Sequence, residues 1–217
     1  MRLIDVIAEV RRLLQDTNTN ADLQRYSDAF LLGLGNQTLK RIALLRPDLF
    51  AYIGAIPCTA GSVLQSAPAD SIRIMEIFQV QGGSGVRETN REILDQTYPA
   101  WVSETAGVCV SWMRHPRNAN RFFIYPKAPA GQVLVGEYSQ TPADYAAADT
   151  IALLSDAYFP VVVDGIIFLA ESVDNEHVSS GRAQIFQQSF VQMLSSSLAS
   201  RIATDTESAG LDKKELV

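Results

Sequence analysis

The chain has 217 residues, a formal net charge of −6, 47% hydrophobic and 19% charged residues. That length buries one sizeable core, and the acidic balance excludes a broad nucleic-acid-binding surface, which needs clustered Lys and Arg. Two cysteines, Cys58 and Cys109, are too few for a disulfide scaffold or a Cys-based zinc site, and are expected as buried, reduced thiols.

The N-terminal stretch MRLIDVIAEVRRLL carries charges throughout and lacks the apolar run of a signal peptide. Leu3, Val6, Ile7, Val10, Leu13 and Leu14 share one face at helical spacing and predict a helix over 3–14. Residues 16–21 are a polar break. Ser27 is an N-cap with Asp28 in the favourable first turn, opening a second helix over 27–46 that Pro47 stops. Gly33 and Gly35 weaken it and suggest a close backbone approach or a kink.

Short strands are predicted over 53–57 and 62–66, then a stronger one over 72–80. There Ile72, Ile74, Glu76, Phe78 and Val80 alternate with Arg73, Met75, Ile77 and Gln79. Gly82-Gly83-Ser84-Gly85 lacks the Lys-Ser/Thr of a phosphate-binding loop and reads as a hairpin turn. Asn90 can cap a short helix over 91–96, and Pro99 stops the chain before Trp101. Strands over 108–113 and 121–125 form an antiparallel pair across the loop 115–120, with another strand over 132–139. Arg114, Arg117 and Arg121 fall together in that loop as a local basic patch.

An Ala-rich connector follows Pro142. Asp156 is placed to cap a third helix over 156–177, and a fourth spans 180–203. Pro160 and Asp164 break the apolar run within the third helix, which is too short to cross a bilayer. From Thr204 the periodicity fades into a polar end read as an extended tail over 205–217. The expected fold class is α+β: a helical bundle from the N- and C-terminal helices, a central antiparallel β region over about 51–140, and that tail. Residues 1–204 are expected as a single domain, since no linker long enough to split them occurs.

Chemistry-bearing residues are sparse. His115 and His177 each stand alone, without a partner at metal-ligand spacing, and no Gly-x-Ser-x-Gly elbow occurs. The acidic residues form no paired-carboxylate pattern. Neither catalysis nor a cofactor is expected. Arg87, Arg91 and Glu92 form a charged cluster that is either a solvated face or a subunit contact. Trp101 and Trp112 are expected as buried anchors or interface residues. The low charged fraction fits a protein that hides surface in partners, and equally a monomer rich in Ser, Thr, Asn and Gln.

A series of landmarks carries a resemblance: Arg46-Pro47-Asp48-Leu49-Phe50; Pro68-Ala69-Asp70; Arg91-Glu92-Ile93-Leu94-Asp95 with Pro99-Ala100-Trp101; Phe122-Phe123-Ile124-Tyr125-Pro126 with Ala128-Pro129-Ala130-Gly131; and Asp156-Ala157-Tyr158 before the third helix. In that order, over about residues 3–198, they resemble the head-to-tail adaptor (connector, or upper tail tube) proteins of short-tailed bacteriophages. Departures are the Pro160-Val161-Val162-Val163 start of the third helix and the two glycines of the second.

The resemblance implies a structural virion protein, made in the host cytoplasm and seated in the tail below the portal vertex. It implies a twelve-subunit ring that bridges portal to tail nozzle, offers a place to tail fibres, and passes DNA without specific binding or any membrane. It also implies that the C-terminal segment reaches the portal, with Leu211, Leu216 and Val217 as apolar anchors and Lys213 and Lys214 as polar contacts. The subunit contact would then include Arg87, Arg91, Glu92 and Trp101. Other classes weighed against it are a tail-associated hydrolase and an unrelated soluble binding module.

Overall fold

The computed structural model describes residues 1–173 and 180–211, and His177 and residues 212–217 lie outside them. The chain divides into two compact units: residues 1–41 with 143–217, and residues 42–142.

The first unit is helical. Helix α1, Leu3–Leu14, buries Leu3, Val6, Ile7, Val10 and Leu14, the face its spacing predicts. It ends on Gln15 in the left-handed region (φ 57°), with Asp16 N–H bonded to Arg11 C=O at 2.9 Å, a Schellman-type stop. Helix α2, Asp28–Leu45, is capped by the Ser27 hydroxyl, which accepts from Phe30 N–H at 3.2 Å. Its last turn, from Ile42, belongs to the second unit. The close approach expected at its glycines is one of side chains: a Cβ at Gly35 would lie 3.0 Å from Leu3 Cδ2, whereas Gly33 faces open space.

The polar break after α1 is an ion-paired knot. Arg11 is buried, and its guanidinium donates to Asp16 Oδ2 at 2.8 Å, Asp28 Oδ1 at 2.6 Å and Tyr26 C=O at 2.8 Å. The Asp16 carboxylate also accepts from the backbone N–H groups of Arg25 (2.8 Å) and Tyr26 (3.2 Å). Every lone-pair direction of a buried carboxylate that is answered lowers the cost of burying it.

The third predicted helix is shorter than expected. A 3-10 turn, Asp156–Tyr158, precedes α4, Phe159–Glu171. Ser155, not Asp156, supplies the cap, its hydroxyl accepting from Ala157 N–H at 3.3 Å. Pro160 is tolerated because the first helical turn has no intrahelical use for its missing N–H. α4 is apolar nearly all round and buries Val161, Val162, Val163, Ile166, Ile167, Leu169 and Ala170, packing on α1 and α5. Gly165 permits this, because a Cβ there would collide with the Thr38 methyl and the Phe190 ring. Helix α5, Ser180–Leu211, carries the chain beyond the expected end at 203, so residues 205–211 of the tail are helical. Adding residues to an existing helix avoids the nucleation cost, which offsets the weak helix propensity of Thr204, Thr206, Ser208 and Gly210.

The second unit holds two small sheets on one core. In the first, β1 (Ala51–Pro57), β7 (Val133–Gln140) and β3 (Ser71–Val80) run antiparallel in the order β1-β7-β3. The second has the order β2-β6-β5-β4, from Leu64–Ser66, Arg121–Tyr125, Ser111–Arg114 and Arg87–Glu88. Here β5 pairs with β6 as predicted, Ser111 opposite Tyr125. The two-residue β4 pairs in parallel with β5, the departure from an all-antiparallel region. Ile56, Ile74, Ile77, Trp112, Phe122, Ile124 and Leu134 fill the core. The Gly82 loop is the expected hairpin turn, with Gly82 at φ 68° and Val86 N–H returning to Phe78 C=O.

β3 departs from its predicted alternation. Its buried residues are Ser71, Ile74 and Ile77, three apart, because the register against β7 shifts between Ser71 and Arg73, between Ile74 and Glu76, and between Ile77 and Gln79. Each bulge adds a residue and turns the next side chain to the other face. Gly136 opposite makes room, since a Cβ there would lie 2.5 Å from Glu76 C=O and 3.1 Å from Ile56 Cδ1.

Candidate interaction surfaces

Helix α3, Arg91–Thr97, begins as the sequence predicts: the Asn90 side chain accepts from Glu92 N–H at 2.9 Å. A 3-10 turn, Pro99–Val102, follows. Two of the four predicted contact residues meet here. Trp101 is 1% exposed and donates from Nε1 to Asp95 Oδ1 at 2.8 Å, and its ring meets Phe123 edge to face. The Arg91 guanidinium lies 4.8 Å above the same Phe123 ring and pairs with Asp95 Oδ2 at 3.2 Å. Trp101 thus pins the helix to β6 from beneath. Arg91 and Glu92 stand exposed above it, as does Arg87 on β4.

A second cluster lies on the same unit, where the sequence placed its basic patch. Arg73, Arg114, Arg117 and Arg121 line a hollow of about 360 Å³ with Trp112, His115 and Pro116. Sequence spacing could not include Arg73, because the β3 bulges place it there. The loop beneath is rigidly bonded. His115 Nδ1 accepts from Arg117 N–H (3.2 Å) and Asn118 N–H (3.1 Å), which leaves its ring proton on Nε2. The Asn118 side chain accepts from Asn120 N–H, and Asn120 Nδ2 donates to Ser71 C=O at 2.8 Å. The imidazole also stacks on Phe123, centroids 5.4 Å apart.

His115 thus holds the backbone of the loop that carries Arg117. Arg114 is held by Glu88 at 2.6 Å and by the Met75 carbonyl, over the Trp112 ring. A neighbouring hollow, lined by Glu88, Arg91, Glu92 and Asp95, shares Arg114 and Pro116 with it.

The cysteines lie near each other through Gln132, whose Oε1 accepts from Cys109 N–H at 3.1 Å and whose Nε2 lies 4.0 Å from Cys58 Sγ. Burial pushes the Cys109 thiol up to about 12, and burial also raises Cys58. Both thiols are therefore protonated at neutral pH and act as core groups rather than nucleophiles. Asp164, half-buried on α4, has its pKa raised by desolvation, partly offset by a hydrogen bond from Ser189. Among the described residues, no group of three His, Cys, Asp or Glu side chains could hold a metal ion, and no helix is long and apolar enough to cross a membrane.

Of the predicted tail contacts, Leu211 is the last residue of α5, and Lys213, Lys214, Leu216 and Val217 lie outside the described residues. No curated protein matches the chain. A family model described as SU10 adaptor protein matches residues 1–212, which takes in residues of both units and the whole of α5. The match spans the landmarks from Arg46 to Tyr158, and an adaptor family implies a structural role beside other virion proteins. The chain belongs to the SU10 adaptor protein family, and is a structural adaptor of a phage virion.

Proposed function

We propose that this adaptor works as a ring of identical subunits, twelve in number, seated below the portal vertex and joining the portal to the tail nozzle. Residues 1–204 act as one adaptor domain, and the ring gives DNA a passage without gripping it. The family match over residues 1–212 carries the reading. The net charge of −6 supports it, since an acidic chain does not hold a phosphate backbone as a basic bore would. Arg87, Arg91 and Glu92 make the subunit contact, with Trp101 fixing the helix that presents two of them. Tail fibres dock on the outside of the ring.

The segment 205–217 carries the portal contact. Leu211, Leu216 and Val217 supply apolar anchors, and Lys213 and Lys214 polar ones. Electron microscopy of the protein mixed with its portal should show a twelve-fold ring beneath the portal. A chain that stays monomeric with portal present overturns the proposal. Deleting residues 205–217 should leave the melting temperature of the rest unchanged and weaken portal attachment. Attachment at full strength would remove the tail from the mechanism while leaving the ring.

A further inference from the structure

The arginine hollow has no use inside the chain. Among the described residues, Arg73, Arg117 and Arg121 lie within ion-pairing distance of no carboxylate, whereas Arg114 beside them is bound to Glu88. Three unneutralised guanidiniums in one hollow repel each other, in a protein whose acids outnumber its bases by 24 to 18. The loop that carries Arg117 is nonetheless fixed, by the two N–H groups on His115 Nδ1 and by Asn120 on the Ser71 carbonyl. The bulge between Ser71 and Arg73 sets Arg73 on the opposite wall. A rigid frame holding several planar, five-donor forks around an open space is a binding arrangement for oxyanions.

We propose that this hollow is a docking site for an acidic segment of a partner protein, bound through side-chain carboxylates. Two observations favour a protein carboxylate over nucleic acid. The next hollow sets Glu88, Glu92 and Asp95 against only Arg91 and the shared Arg114, so a long phosphate backbone laid across the first would meet no net positive surface there. Of the two rings that line the arginine hollow, Trp112 is 1% exposed and His115 already stacks on Phe123, so the hollow lacks the open aromatic platform on which bases stack. A volume of about 360 Å³ admits one or two carboxylate side chains from a chain passing over its mouth. This inference is independent of the ring and of the portal contact.

The test uses the full chain and a fluorescein-labelled hexaglutamate peptide, read by fluorescence anisotropy in low salt. The peptide should bind, and binding should weaken as salt rises. A combined Arg73→Ala and Arg117→Ala variant should lose affinity by about tenfold or more, since it removes two charge-assisted contacts. Arg117→Gln alone should lose less. Arg12→Ala, at an exposed arginine paired with Glu9 in the helical unit, should bind as the parent does. Thermal melts of each variant separate lost binding from lost folding. Equal binding by the parent and the double variant overturns the proposal, as does no binding at all. A short DNA duplex or inorganic phosphate bound more tightly than the peptide also overturns it, in favour of a nucleic-acid or small-anion site. Self-association of the parent that the double variant abolishes would instead make the hollow a contact between copies.

Discussion

Arg11 in the helical unit and Arg117 in the β unit are the same residue type in opposite circumstances. Arg11 is buried, with Asp16, Asp28 and the Tyr26 carbonyl around its guanidinium. Arg117 is exposed on a bonded loop, beside three more arginines and with no carboxylate of its own. The first arrangement closes on itself, and removing Arg11 or Asp16 leaves the other's charge buried. The second is open, and it can be completed only from outside the chain. An arginine cluster therefore reports on folding when its counter-charges are internal, and on recognition when they are missing.

The largest expected effect comes from opening the closed cluster. Asp16→Ala strands Arg11 and two backbone N–H groups in the interior, and should cost about 3–5 kcal/mol. That is a large share of the roughly 5–15 kcal/mol that holds a domain folded. Urea unfolding would show a strongly lowered midpoint. A midpoint shifted by only a few tenths of a molar would mean that Arg11 finds water or Asp28 instead.

A smaller loss should follow from overfilling the same unit. Gly165→Ala drives a methyl into Thr38 and the Phe190 ring and should cost about 1–3 kcal/mol. A melting temperature equal to that of the parent would show that α4 and α5 can move apart freely. The pair Asp16→Ala and Gly165→Ala also separates electrostatic from steric closure, because only the first should respond to salt.

Asp164 sharpens the contrast from within the helical unit, being a carboxylate with a hydroxyl for company rather than an arginine. Burial raises its folded pKa above the unfolded value, so the ionised form carries a penalty at neutral pH. The folded state binds the proton more tightly, and stability rises as pH falls through the folded pKa. Asp164→Asn should therefore stabilise by about 0.5 kcal/mol at pH 7, a fraction of one polar group's burial cost. The advantage should shrink as pH falls toward the ordinary Asp range of about 4. A variant less stable than the parent at pH 7 would mean that the ionised form is the one the fold favours.

Much of this was legible in the chain because it is written in local chemistry. The period of Leu3, Val6, Ile7 and Val10 gave α1, Ser27 and Asn90 gave two helix starts, and Gly82 gave a turn. The landmarks from Arg46 to Tyr158 pointed to the family. What stayed hidden depends on residues distant in sequence. The β3 bulges come from pairing with β7, distant in sequence, so strict alternation could not show that Ser71, Ile74 and Ile77 are the buried set. Asp16 looked like loop polarity because its partners, Arg11, Arg25 and Tyr26, converge only once the chain folds back. The basic patch was visible as Arg114, Arg117 and Arg121, but the fourth wall, Arg73, was not. The cap at Ser155 was displaced onto Asp156 because both residue types cap equally well, and only backbone geometry separates them.

The smallest effect decides most about the open cluster. Arg117→Ala removes a charge that repels its neighbours and has no internal partner, so the stability change should fall within about 0.5 kcal/mol of zero. Arg11→Ala in the helical unit should cost several times more, since the buried Asp16 would keep its two backbone N–H donors but lose its cationic partner. Chemical denaturation of the two variants side by side tests the difference directly. If Arg117→Ala destabilises as Arg11→Ala does, the loop arginines hold the β unit together and the hollow is a structural feature. If it leaves stability level, the rigid loop built by His115, Asn118 and Asn120 presents a charge that folding does not need. The Arg117 guanidinium is then available to a carboxylate of another molecule.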